Sequence, residues 1–294
     1  MSIKLLHIIL FIGLVWQQGL FAQLPSSDLY SFTFEELDST LEIREAKFLN
    51  GFNKGGYNNQ ASFSAENKIF ISSNHYNSEK TDIIELDLDK NRLSRITNTD
   101  VPEYSPTLHP DGKSISTVRV EADNTTQSLW IYPKDRSNYG YRILSDISDI
   151  GYHLWVSETE VILFRLPAPF TMSLVNIETE QQKLIIDNIG RCFKMTPDGE
   201  VLFVHKSNPT QWWLKTYNLE TRRIETLFPT LENSEDFEIL ADGRIVMGKD
   251  AQLHIRTLSG EGEWNQWTDL STFGINNIKR LAIQNNRMII TNAN

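Results

Sequence analysis

One phrase recurs along this chain, and its spacing constrains the fold more than any other feature. The segment Ser105-Pro106-Thr107-Leu108-His109-Pro110-Asp111-Gly112-Lys113 returns, shortened, as Met195-Thr196-Pro197-Asp198-Gly199-Glu200 and as Leu240-Ala241-Asp242-Gly243-Arg244. Weaker copies centre on Asn67, Thr159 and Asn286. The positions equivalent to glycine are 67, 112, 159, 199, 243 and 286, separated by 45, 47, 40, 44 and 43 residues. A period of this length, held over the whole chain, marks a repeat architecture. Asp-Gly between two apolar runs signals a hairpin turn, because glycine accepts the positive φ that such turns require.

Each copy carries the same succession of short apolar runs. One precedes the turn, with an apolar residue four positions before it (Phe63, Leu108, Trp155, Met195, Ile239, Ala282). A second follows directly, as in Val201 to Val204 or Ile245 to Met247. A third comes after a polar loop, and a fourth ends near Ile96, Leu144, Ile186, Leu227 or Leu270. Four antiparallel strands per repeat of this length make one blade of a β-propeller. Packing of both blade faces explains runs that stay apolar instead of alternating. The predicted fold class is therefore all-β, a six-bladed β-propeller. The sixth copy delivers only two strands before Asn294. Leu29 to Phe34 and Leu41 to Phe48, on either side of a turn at Asp38-Ser39, are expected to supply the other two and so close the ring, removing its open edges.

Tyr104 to Ile115, followed by Leu129-Trp130-Ile131-Tyr132, resembles the repeat of the TolB-like propellers, also called PD40 or WD40-like, over residues 28–294. The resemblance implies a periplasmic or secreted six-bladed propeller that docks partner proteins or binds small ligands. Fold-level likeness of this kind does not fix a function.

The first residues resemble an export leader. Lys4 is followed by the apolar run Leu5 to Trp16, too short to cross a bilayer comfortably, and then by Ala22 before a plausible cleavage point. The predicted organisation is a signal peptide over 1–22 and a single propeller domain over 23–294, with no membrane span once the leader is gone. The formal net charge is −10, and −11 without Lys4. An acidic surface repels phosphate backbones and anionic lipids, which argues against nucleic acid as a partner. The lone Cys192 cannot form an internal disulfide, nor, with no second cysteine, a thiolate metal cluster. Its expected role is a small buried residue at a strand start.

Motifs for a serine hydrolase elbow, a His-Glu-x-x-His zinc site, an EF-hand, a Walker A loop and a dinucleotide fingerprint are absent from the sequence. No cofactor, metal site or catalytic residue is therefore expected. The candidate site lies where the second strand of each blade ends: Ser73, Arg119, Arg165, His205, Lys249 and Asn292. All six are polar, and rotational repetition would set them around one mouth of the ring. There they would form a collar able to focus a carboxylate, a uronic acid or an acidic peptide. Arginine suits this role because its planar fork grips a carboxylate with two hydrogen bonds. Trp212, beside Asn208-Pro209, is a second candidate for ligand or partner contact. His75 and His153 are expected on the same loop face, solvated. The resulting expectation is a monomeric, non-catalytic secreted or periplasmic propeller that binds an envelope protein or a small anionic ligand at one mouth. The alternative is a lyase or hydrolase acting there on an anionic sugar.

Overall fold

In the computed structural model, residues 24–37, 40–258 and 262–293 are described. They form six antiparallel sheets of four strands each, with two short 3-10 turns, Asn50–Asn53 and Ser271–Phe273. Blades 1 to 5 follow one another in sequence, starting on inner strands Asn58–Ala65, Glu103–Leu108, Ile150–Trp155, Ile189–Met195 and Phe237–Ile239. The repeat turns have the predicted backbone: φ is +67° at Gly112, +79° at Gly199 and +85° at Gly243.

Blade 6 closes the ring as the sequence predicts. Its inner strands are Ile278–Gln284 and Arg287–Ala293, and its outer strands are Ser27–Leu37 and Thr40–Phe48. Leu29 to Phe32 pair in register with Thr291 to Met288. Phe32, Phe34 and Leu41 then join Met288 and Ile290 in one core, while Leu29 and Leu49 join Ile289 in another. The first and last strands therefore feed the cores on both faces of their blade. The turn expected at Asp38-Ser39 and the leader expected over 1–22 lie outside the described residues. Among the described residues, no helix is long and apolar enough to cross a membrane.

Second strands are apolar throughout because neighbouring blades cover both of their faces. Val201–His205 is buried at every position, and Lys68–Ser73 at all but its first. Six apolar cores fill the six junctions between blades. Full burial of one branched aliphatic or aromatic side chain stabilises by about 1.5–3 kcal/mol, so these junctions hold the ring together. The junction between blades 1 and 2 is the least apolar. Its core is Phe70, Ile83, Ile115 and Tyr132, and beside them lie two fully buried carboxyl groups. Asp82 accepts a hydrogen bond from Arg95 at 2.8 Å. Glu103 accepts from Thr97 at 3.1 Å and also from Thr99. Burial, reinforced by the nearby Asp82, pushes the Glu103 carboxyl up to about 7 despite those hydrogen bonds.

Candidate functional site at the axial mouth

The inner strands line the axis, and they are irregular where they do so. In blades 1, 2, 3, 4 and 6 the pairing of first with second strand slips just after the strand begins, at Asn59/Ser62, Tyr104/Thr107, Ile150/Tyr152, Ile189/Phe193 and Ile278/Arg280. A β-bulge re-aims side chains, and such bulges concentrate next to functional sites. Gln60, Ser105, Tyr152, Arg191 and Arg280, at or beside these slips, line a common cavity of about 140 Å³, and blade 5, with no slip, adds Asp236 from just before its first strand. Gln60 and Ser105 hold φ of +56° and +53°. For residues with a Cβ that conformation costs about 1–2 kcal/mol each, a strain that clusters at functional sites.

Two arginines share one carboxylate at the axis. Arg191 pairs with Asp236 through Nη2, which also donates to the Lys279 carbonyl at 3.2 Å. Its Nη1 lies 3.4 Å from Glu235. Glu235 can approach because Gly190 has no side chain; a Cβ there would stand 3.1 Å from the Glu235 carboxylate. Arg280 donates to the Tyr152 hydroxyl at 2.8 Å through Nη2. Its Nη1 stands 3.6 Å from Asp236, outside hydrogen-bonding distance. Burial works against the charge of both arginines, but Asp236 and Tyr152 together, with Glu235 beside Arg191 and Tyr57 beside Arg280, keep their pKa values above the ordinary guanidinium range. Lys194 lines the same cavity and pairs with Glu238 at 2.6 Å. The lining thus carries three cations, Arg191, Lys194 and Arg280, against one carboxylate, Asp236, within a chain of net charge −10; Glu238 and Glu235 reach Lys194 and Arg191 from outside the lining.

The cavity continues outward. Arg191, Asp236 and Leu281 also line a cleft of about 320 Å³ at the mouth, together with Glu232, Lys249, Asp250 and Asn277. This is the face on which the second strands end.

The sequence-predicted residues occupy that face one strand further out. Ser73, Arg165, His205 and Lys249 are the last residues of their strands, and Arg119 and Asn292 the next to last. Lys249 reaches the mouth cleft, 3.3 Å from Glu232. Arg119 lies 3.3 Å from Glu121 and 4.0 Å above the Trp130 ring. Arg165 pairs with Asp149 and donates to Gln182 at 2.9 Å. Ser73 and Asn292 are buried. Ser73 donates to Asn58 at 2.8 Å, and Asn292 accepts from the backbone of Asn276 and Asn277. His205 is buried too, which lowers its pKa, with Lys215 adding to the effect. Trp212 is half-buried, with Lys206 Nζ 4.0 Å from its ring.

His153 departs from expectation. It belongs to an inner strand and is buried, with Nε2 2.6 Å from Ser116 Oγ, rather than solvated on a loop. Burial, helped by neighbouring His109, drops its pKa to about 3, so it is neutral. Cys192 is a half-buried residue within the fourth inner strand, its thiol 3.4 Å from the Phe237 carbonyl.

The axial column itself was missed by the sequence reading. A signal for it exists: Gln60, Ser105, Tyr152 and Asp236 each stand seven residues ahead of the repeat turn position, Arg191 eight and Arg280 six.

Comparison with solved structures agrees with this architecture. TolB from Acinetobacter baumannii matches over 90% of this chain with a TM-score of 0.59 and 14% identity, and the present chain spans 63% of the length of that one. A protein assigned as TolB from Agrobacterium tumefaciens matches over 91% of this chain and 98% of its own, with a TM-score of 0.67 and 9% identity. The fold is TolB-like. An auxiliary nutrient binding protein from Bacteroides thetaiotaomicron shares the TolB-like ring with a TM-score of 0.55 and 11% identity, over 90% of this chain and 76% of that one. No protein-family model matches the sequence, and no curated protein matches it.

Proposed function

We propose that this chain is an exported binding propeller that takes a small carboxylate-bearing ligand at the axial mouth. The observation that carries the reading is the lining of three cations and one carboxylate, with Arg280 Nη1 standing 3.6 Å from its shared partner Asp236, beyond hydrogen-bonding distance. An anionic oxygen entering the cavity would complete that guanidinium. It would also meet Arg191 and Lys194, which line the same cavity while paired with Asp236 and Glu238. Charge-assisted hydrogen bonds of this kind are worth about 1.5–3 kcal/mol. Lys249 would form the outer part of the site. Arg119 and Arg165, each held by a carboxylate of its own blade, would add to the field at the mouth without touching the ligand. The leader-like residues 1–22 support export to the periplasm or beyond, and one protein of similar fold is an auxiliary nutrient binding protein.

Calorimetric titration with sodium galacturonate tests this. The wild-type chain is expected to bind, and Arg280→Gln to weaken binding by about tenfold or more, equivalent to about 1.4 kcal/mol. Equal affinity in the two proteins would remove the axial site. A matching loss in Arg165→Gln would move the site outward to the strand ends.

Docking of an envelope protein at the same mouth is favoured by one observation. The loop 167–170, with sequence Pro-Ala-Pro-Phe, is exposed on this rim.

A further inference from the structure

The axial cavity does not end at the mouth. The mouth cleft of about 320 Å³ shares Glu232 and Asn233 with a third compartment of about 300 Å³ at the rim, bounded by Thr210, Gln211 and Trp212. The mouth cleft, between blades 5 and 6, therefore joins the axial cavity to the rim compartment, between blades 4 and 5, through lining residues it shares with each. A chain of side-chain contacts also links Arg280 at the axis to Trp212 at the rim. Arg280 faces Asp236, Asp236 holds Arg191, and Arg191 faces Glu235. Glu235 accepts from Lys206 at 2.6 Å, and Lys206 sits 4.0 Å from the Trp212 ring.

We infer that the axial anion site is the terminal subsite of a groove for an acidic oligosaccharide, with about one sugar residue in each compartment. The inference rests on the reading of the axial site given above. A lone carboxylate would fill only the innermost compartment, whereas the outer two each match the lower size of a ligand pocket on their own. The walls are charged or amide-bearing, with Glu232, Asn233, Asp250 and Asn277 among them. Carboxylates only accept hydrogen bonds, ammonium and guanidinium groups only donate, and amides do both. A wall mixing all of these suits hydroxyl groups, each a donor and an acceptor. It suits apolar peptide side chains poorly. At the rim, Trp212 supplies an indole, whose large apolar body and polar N–H match the mixed faces of a pyranose ring. Among the three compartments, lining cations outnumber lining carboxylates only in the axial cavity, which places the acidic residue of the sugar chain there.

The test compares galacturonate with a trimer made of one terminal galacturonate and two neutral sugars, by calorimetry on the full chain. The trimer is expected to bind the wild-type protein at least tenfold more tightly than the monomer. Trp212→Ala should erase that gain while leaving the Kd for the monomer within twofold. Because Trp212 also packs against the core between blades 4 and 5, Thr210→Trp serves as a second variant. It fills the rim compartment from an exposed loop position and should erase the same gain. Equal affinity of monomer and trimer for wild type overturns the groove and leaves the axial site standing. So does a gain that survives both variants, or an equal Trp212-dependent gain with tri-glutamate. Failure of Arg280→Gln to weaken monomer binding overturns instead the axial reading on which the groove is built.

Discussion

Closure of the ring by its first strands makes Phe32 a sensitive position. The side chain is fully buried and sits opposite Met288 in the pairing of the first strand with the last. Its ring meets Phe273 edge-on at 5.4 Å and packs in the core that joins blades 5 and 6, with Trp267 and Leu270. A phenylalanine buries about 150–250 Å², worth about 4–6 kcal/mol of transfer free energy at 25 cal/mol/Å². Measured Phe→Ala changes in cores cost about 3–5 kcal/mol. The surrounding residues belong to two blades and one short turn, so the cavity left by Phe32→Ala has little room to collapse, and the upper half of that range is expected. For a chain of this size 1 kcal/mol moves the melting temperature by about 2 °C. Phe32→Ala should therefore lower Tm by about 8–10 °C in a thermal melt followed by circular dichroism. Leu184→Ala, an exposed position in an outer strand, should shift it by less than about 1 °C. A drop below about 2 °C in Phe32→Ala would mean that the N-terminal strands are an appendage and not part of the ring.

The buried carboxyl of Glu103 predicts a pH dependence of stability. Its folded pKa is raised to about 7 against an ordinary value of 4.5, so between those values the folded chain holds a proton that the unfolded chain has released. The stability it contributes is present below pH 4.5 and is lost as pH rises through 7, at up to about 1.4 kcal/mol per pH unit. Glu103→Gln should therefore gain about 2–3 kcal/mol relative to wild type between pH 5 and pH 8 in urea melts, and a constant difference would refute the assignment. His153, lowered to about 3, acts in the opposite sense, with stability lost as pH falls below about 6.5; taking the difference between variant and wild type cancels its effect. The Cys192 thiol is pushed up to about 12, first by burial and then by Asp236. It should label slowly with maleimide in the folded chain at pH 8 and rapidly in urea, whereas equal rates would contradict the raised pKa.

The ring was legible in the sequence because each of its determinants is local. Asp-Gly fixes a turn, a run such as Val201 to Val204 fixes a strand buried on both faces, and the shortfall of two strands after Ile290 assigns Leu29 to Phe48 to closure. The second of these two strands is Thr40–Phe48, whose Leu41 enters the core of blades 5 and 6. The axial column was harder to read because it depends on bulges. A register slip of one or two residues moves Arg191 and Arg280 off the common spacing and breaks the alternation used to find the strand ends. The partners of the strand-end residues were only partly readable. Glu121 lies two residues beyond Arg119 and so on the same face of an extended chain, which the sequence does show. The pairing of Arg165 with Asp149 crosses between strands and needs the register. His153 was misplaced for the same reason: the bulge at Ile150/Tyr152 sets it on the inner strand beside Ser116.

A crystal structure of the chain soaked with sodium galacturonate tests the central claim most directly. The account predicts the carboxylate within hydrogen-bonding distance of Arg280, between Tyr152 and Asp236, with the sugar ring directed toward Lys249. A carboxylate seated instead on Arg119 or Arg165, or an axial cavity still holding only its own side chains at saturating ligand, would contradict it.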